Sequence, residues 1–497
     1  MSKKYLFITF LLLFVTIFSF HSCTKRKLEV DLLALQLDES CFPDDVGTIF
    51  ITRCAVTGCH NTISKDACGG LDMSSWEKLF EGARAGAAVI AYRSDQSFLM
   101  NFINTFSDLG PIQKPTMPYD PSSPGNSVPL SRDEVLLIKN WIDQGAPNCN
   151  GTVPFPDDPN RKKFYITNQG CDLVAVFDAE KKVIMRYISV GANQNVTESP
   201  HMVRISPDGQ FWYVSFVANN ARYFQKYRTS DDSFVAQVDI TIGSWNTFAF
   251  SPDSKWAYIV DFNSQGRVAI VDCENMTLKP QTPFYPDLSF VVSPHGSAVS
   301  PDGNCLYITL QNGDALYKMD ITGFPPDGQP INFNSSTLSK PHEVAFSPDG
   351  SIYFVTCQGT NEVKVFQYQP YPAPDVFLKS IPVAPDPVEM SFSLSTNYMF
   401  VSCMAGNAVS IINYVDTSFV KTINGLYDPH GIAVDDAYGV CYVASRNLLS
   451  SGPPPHHTSA CAGRNGFLRA IDLNTLEFVP GYKPELSVDP YSIAVRK

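Results

Sequence analysis

Two periodicities divide the chain. Beyond about residue 162, apolar and polar side chains alternate in short runs such as Lys163-Phe164-Tyr165-Ile166-Thr167-Asn168, the pattern of a strand with one face toward a core. Between about residues 41 and 150, apolar positions recur at helical spacing instead. Ser74-Ser-Trp-Glu77 and Ser131-Arg-Asp-Glu134 have the form of capping boxes, in which serine accepts from the backbone and glutamate answers three residues on. The second predicts a helix with Val135, Ile138 and Ile142 on one face, widened by Leu136 and Trp141 and stopped at Gly145. Phe42 to Arg53 predicts an earlier helix, and the run Ser97 to Phe106 another with Met100 in its core.

The strand-rich part is a repeat. Ser206-Pro-Asp-Gly209, Ser251-Pro-Asp-Ser254, Ser300-Pro-Asp-Gly303 and Ser347-Pro-Asp-Gly350 are followed by degenerate forms at Ser393-Leu-Ser-Thr396 and Asp435-Asp-Ala-Tyr438. An aromatic-rich strand follows each turn, and the Lys163 strand begins the series. A period of roughly 42 to 50 residues with four strands per unit is the signature of propeller blades. The first repeat lacks its leading strand, and Tyr491-Ser-Ile-Ala-Val495 is left over at the other end. Joined, the two complete a seventh blade and leave no open edge. The fold class expected is multidomain: a small all-α domain at 41–150, a Pro-rich linker at 151–161, and an all-β seven-bladed propeller at 162–497. These blades resemble the YVTN/YncE type of bacterial propeller.

A formal net charge of -12 argues against a nucleic-acid partner, because no basic surface dominates. Residues 1–23 read as a leader: Lys3 and Lys4 precede an apolar run from Tyr5 to Phe20, and Ser22-Cys23 resembles a bacterial lipobox. Cys23 would then carry lipid, and 24–40 would be a tether. The expected location is the bacterial periplasm or cell envelope, lipid-anchored at the outer membrane, where disulfides persist.

The chemistry-bearing stretch is Cys54-Ala-Val-Thr-Gly-Cys59-His60. Two thiols followed directly by histidine suit covalent haem attachment, with Cys54 and Cys59 as thioethers and His60 as the proximal iron ligand. The spacing is longer than C-x-x-C-H, and small residues permit the bulge this needs. The alternatives are a structural zinc site, with Cys68 as a further ligand, or a disulfide framework. A sixth ligand is expected at Met117, in the stiff Lys-Pro-Thr-Met117-Pro118-Tyr loop, over Met73 and Met100. Ile49-Phe50, Gly69-Gly70-Leu71, Met117-Pro118 and Trp141-Ile142-Asp143-Gln144-Gly145-Ala146 resemble the small c-type cytochrome domains of environmental bacterial lipoproteins, including the planctomycete-type group. The resemblance implies one low-spin haem c on His60 with Met117 opposite. Of the thirteen cysteines, Cys41 and Cys149 bracket this domain, and Cys171 and Cys461 fall in loops of neighbouring blades.

One position recurs five residues before each turn, at the entry to the innermost strand: His201, Asn246, His295, His342, Val388, His430 and Tyr491. It is expected to share a mouth with the loop Asn447 to Asn465, which holds His456 and His457, and with Cys357 and Cys403. Either each histidine bonds a backbone carbonyl, or the mouth holds a second metal or cofactor. Nitrous oxide reductase and cytochrome cd1 nitrite reductase offer partial analogies in layout. The function expected is an extracytoplasmic haem c electron carrier whose propeller docks a periplasmic redox protein or small molecule. The alternatives are an oxidoreductase with a second centre at the propeller mouth, and a binding scaffold with a haem sensor.

Overall fold

The computed structural model describes residues 32–120, 127–193, 195–263, 266–284, 293–459 and 461–496. The leader and Cys23 lie outside the described residues. Among those described, no helix is long and apolar enough to cross a membrane.

The turns account for the blades. Each serine Oγ donates to the aspartate two residues on: Ser206 to Asp208, Ser251 to Asp253 and Ser300 to Asp302 at 2.5 Å, and Ser347 to Asp349 at 2.6 Å. The same hydroxyl accepts the N–H that opens the next strand, from Phe211 at 3.1 Å and Trp256 at 2.9 Å. Gly209, Gly303 and Gly350 complete the turns at φ of 71°, 76° and 73°, a region that favours glycine. Ser393 lacks the local aspartate and instead donates to Asp436 of the next blade at 2.7 Å.

Seven four-stranded antiparallel sheets result. Pro490–Val495 is the innermost strand of the first, beside Lys163–Asn168, with Phe164 opposite Val495 and Ile166 opposite Ile493. The ring is therefore shut by strands from opposite ends of the repeat. Across that seam Phe164 stacks between Phe177 and Tyr442, with centroids at 4.4 and 4.2 Å. Between the fourth and fifth blades, Lys318 and Asp375 form a fully buried 3.0 Å ion pair, and Tyr307 and Tyr353 donate to the same carboxylate.

Ahead of the ring lie helices α1 (Leu32–Ser40), α2 (Asp44–Ile49), α3 (Trp76–Leu79), α4 (Phe98–Ile103) and α5 (Arg132–Asp143). The capping box at Ser131 and Glu134 is formed, and Val135, Ile138, Trp141 and Ile142 are buried. The box at Ser74 is not. Ser74 Oγ donates to Asp72 at 2.6 Å, and the next residue, Ser75, caps α3 by accepting from Lys78 N–H. A Cys41–Cys149 disulfide closes the segment. Its apolar cluster, with Phe42, Phe50 and Trp141 in edge contact, runs without a break into Tyr165, Val174 and Val176 of the first blade. The Pro-rich linker at 151–161 is docked as well: Phe155 is buried against Phe80, and Arg186 Nη2 donates to the Pro154 carbonyl at 2.8 Å.

Candidate functional site

Helix α2 passes into a π-helical turn, Phe50–Cys54, a geometry frequent at functional sites. Arg53 anchors the turn, with Nη1 3.2 Å from Glu134 Oε1 and Nη2 donating to the Val128 carbonyl at 2.7 Å. The chain then loops back, and the His60 N–H donates to the Cys54 carbonyl at 3.0 Å. Inside this loop Cys59 N–H donates to Val56 O at 3.0 Å, and Gly58 takes a φ of 85°. Both cysteines and the histidine therefore belong to one closed turn.

Cys54 is buried, and burial pushes its thiol up to about 12. Cys59 is half-buried, with its thiol raised by burial, then by Cys68 and Asp120. Asp120 acts on Cys59 electrostatically, so the segment that carries Met117 passes the same loop. His60 Nδ1 is buried without a hydrogen-bond partner. Burial lowers the pKa of this imidazole, and the Leu71 carbonyl opposes that shift. Around the loop Val56, Tyr119 and Val128 are exposed, and Ile63 is 96% exposed, so apolar surface is left open there. Met73 and Met100 are buried in the core, whereas Met117 is half-buried and its N–H donates to the Phe102 carbonyl at 2.8 Å. Cys68 Sγ lies 3.4 Å from the Gly58 carbonyl, beside the same loop.

The hub of the ring is the second site. In six of the blades the innermost strand slips register just after its proline, as between Pro200 and Val203, Pro341 and Val344, and Pro429 and Ile432. Such a bulge re-aims the side chain it contains. His201, His295, His342, His430 and Tyr491 meet in a closed circuit, with centroid separations of 5.8, 3.7, 5.3, 3.7 and 4.0 Å in order. All five are buried, and burial holds the four imidazoles well toward the neutral form. Beside them Glu343 and Glu389 are each raised by burial to about 7, with Arg204 3.9 Å from Glu343. Asn246 is turned aside to donate to the Pro294 carbonyl.

His456 and His457 are not in that circuit. They pack on α4, His456 4.9 Å from Phe102 and His457 5.4 Å from Phe98. His457 Nδ1 is 2.8 Å from Glu485 Oε2, on the outermost strand of the last blade, whereas His430 is on the innermost. Three strand spacings, about 14 Å, separate such positions. The Cys171–Cys461 disulfide ties their loop to the first blade. Cys357 and Cys403 end their strands opposite Pro341 and Pro387, at the entry end of the innermost strands, and both are wholly buried, their thiols turned to the carbonyls of Val355 and Val401. Among the described residues, no three His, Cys, Asp or Glu side chains stand ready to hold a metal ion.

Sequence reasoning missed the role of α4. On one side Asn101 Nδ2 donates to the Thr458 carbonyl at 2.9 Å, beside His456 and His457. On the other, the Asn101 and Phe102 carbonyls accept from Gln113 and Met117, both at 2.8 Å. One short helix thus carries the loop of the last blade and the Met117 loop on opposite edges.

These features define a seven-bladed β-propeller carrying a helical segment on its flank. The family model described as Lactonase, 7-bladed beta-propeller matches residues 178–392, fewer than half of the chain. No curated protein matches the sequence. Among solved structures, a putative 6-phosphogluconolactonase from Bacteroides uniformis is similar at 14% identity and a TM-score of 0.53, over 68% of this chain and 99% of that one. The periplasmic gluconolactonase PpgL of Pseudomonas aeruginosa gives 14% and 0.52 over the same shares. A functionally unknown protein from Desulfotomaculum acetoxidans gives 16% and 0.51, over 67% and 98%. At these identities the likeness concerns the fold.

Proposed function

We propose that the chain is an extracytoplasmic haem c electron-transfer protein, held to the membrane through lipid on Cys23, whose propeller docks its redox partner or ligand. The observation that carries this reading is the Cys54–His60 turn. Two thiols and an imidazole share one closed loop, the imidazole has a buried nitrogen without a partner, and Val56 within the loop and Ile63 just after it are exposed. That donor set fits the covalent group. Bound there, the haem would supply a one-electron centre.

The chain's own residues do the rest. Cys54 and Cys59 would hold the porphyrin as thioethers, and His60 would bind its iron, with the Leu71 carbonyl orienting the imidazole. Met117 would approach from the loop that hangs on the Phe102 carbonyl. Val56, Ile63, Tyr119 and Val128 would lose their exposure and keep water from the site. The Cys41–Cys149 and Cys171–Cys461 bridges favour an oxidising compartment.

Haem staining on a denaturing gel, after expression with cytochrome maturation machinery, tests the attachment. A coloured band that Cys59→Ser abolishes is expected, and colourless wild-type protein would overturn the reading. Met117→Ala should keep the covalent haem and give a high-spin spectrum at lower potential; an unchanged low-spin spectrum assigns the sixth ligand elsewhere. The lactonase match favours a second reading, hydrolysis of a sugar lactone at the propeller hub by Glu343 or Glu389. Turnover of gluconolactone by haem-free protein, lost in Glu389→Gln, would support it.

A further inference from the structure

We propose that the propeller hub binds one first-row transition-metal ion of the zinc–copper class through the imidazoles of His201, His295, His342 and His430. A metal-binding histidine commonly donates one ring N–H to an oxygen and keeps the other nitrogen free. His201 shows that division. His201 Nδ1 lies 3.4 Å from Gln169 Oε1 while its Nε2 has no partner. His295 Nδ1 and His430 Nδ1 are buried without a hydrogen-bond partner. His342 Nδ1 is unpartnered as well. A buried polar atom without a partner is costly, and four in one circuit call for an occupant.

The dimensions suit an ion. A flat circuit with the observed edges puts each ring centroid about 4 Å from the centre, and a metal bound at 2.0–2.1 Å to nitrogen needs about 3 Å. As they stand the rings stack side by side and do not converge, so binding must turn the free nitrogens inward and draw the circuit in by about 1 Å. Glu389 Oε1, 3.4 Å from His430 Nδ1 and also unpartnered, is placed to balance the ion's charge. The donors are imidazole and carboxylate, and nitrogen-rich sets of this kind favour copper, zinc and nickel over magnesium or calcium. Ordered water is the competing occupant.

The test uses the full-length protein, one equivalent of Cu²⁺ and removal of loosely held metal on a chelating column. Wild type is expected to keep about one copper per chain, with nitrogen hyperfine splitting from three or more ligands in its EPR spectrum. His295→Asn/His342→Asn should bind at least about 100-fold more weakly, while His456→Asn/His457→Asn keeps both the metal and the splitting. Loss of copper on the column by wild type would assign the hub to water and overturn the proposal. So would unchanged binding in the hub variant, or loss in the His456/His457 variant alone. Should the hub variant fail to fold, the splitting in the His456/His457 variant decides. Repeating the titration on haem-free Cys54→Ser/Cys59→Ser protein separates this result from the fate of the haem reading.

Discussion

The contact between Phe102 and His456 measures how firmly the helical segment is fixed to the propeller. Phe102 is 9% exposed, its ring is 4.9 Å from His456, and its carbonyl holds the Met117 N–H. Truncating a buried phenylalanine to alanine costs about 3–5 kcal/mol. Most of that is lost burial within the helical segment, and it would appear with or without the propeller. The part shared with His456 is isolated by a double-mutant cycle of Phe102→Ala and His456→Ala, where a paired ring contact contributes about 0.5–1.5 kcal/mol. Urea denaturation reads the cycle, and hydrogen exchange over residues 113–117 reads its local effect. His456→Ala alone should speed exchange of the Gln113 and Met117 amides by about 2- to 10-fold, because α4 loses its outer support while their carbonyl acceptors stay in place. Additivity within about 0.3 kcal/mol, together with unchanged exchange in His456→Ala, would show that the last blade's loop does not steady the Met117 segment.

Three further outcomes are expected. Lys318→Met should destabilise the ring by about 3–5 kcal/mol, since it strands the wholly buried Asp375 carboxylate; Lys318→Met/Asp375→Leu should recover much of that in a denaturant titration. Deleting residues 490–497 should leave the Lys163–Asn168 strand as an open edge and shift the protein toward aggregate on gel filtration. The Ser251 and Ser347 hydroxyls, followed by backbone N–H groups, hold Asp253 and Asp349 below the ordinary carboxylate range. A carboxylate depressed in the folded state stabilises it above the unfolded value, near pH 4, and that contribution disappears as pH falls through the folded value. Ser347→Ala should therefore flatten the fall in melting temperature between about pH 5 and 2.5, read by circular dichroism.

The blades were legible because each is punctuated by one turn whose chemistry is local. A serine, an aspartate two residues on and a glycine fix the reversal without help from the rest of the ring. The hub circuit was legible for a related reason: the position recurs at a fixed offset from that turn. What each imidazole faces was not, because the neighbours come from other blades. The Ser74 box failed on a single competing bond, the one to Asp72, which a spacing pattern does not register. His456 and His457 sit in a long insertion with no periodicity, and their partners Phe98 and Phe102 lie more than 350 positions upstream. The continuity of the helical core with the first blade was hidden likewise, since periodicity assigns a residue to a face and not to the surface that covers it.

The strand at Pro490–Val495 dictates an order of assembly. As the chain emerges, the helical segment and six complete blades can form from residues near one another in sequence, while the first blade waits, one strand short, for the last residues of the repeat. Until they arrive Tyr491 is missing from the hub, and His201 and His430 have no aromatic bridge between them. Any chemistry at that hub is therefore switched on by the final step of folding, and a chain cut short there would lose its shape and its centre together.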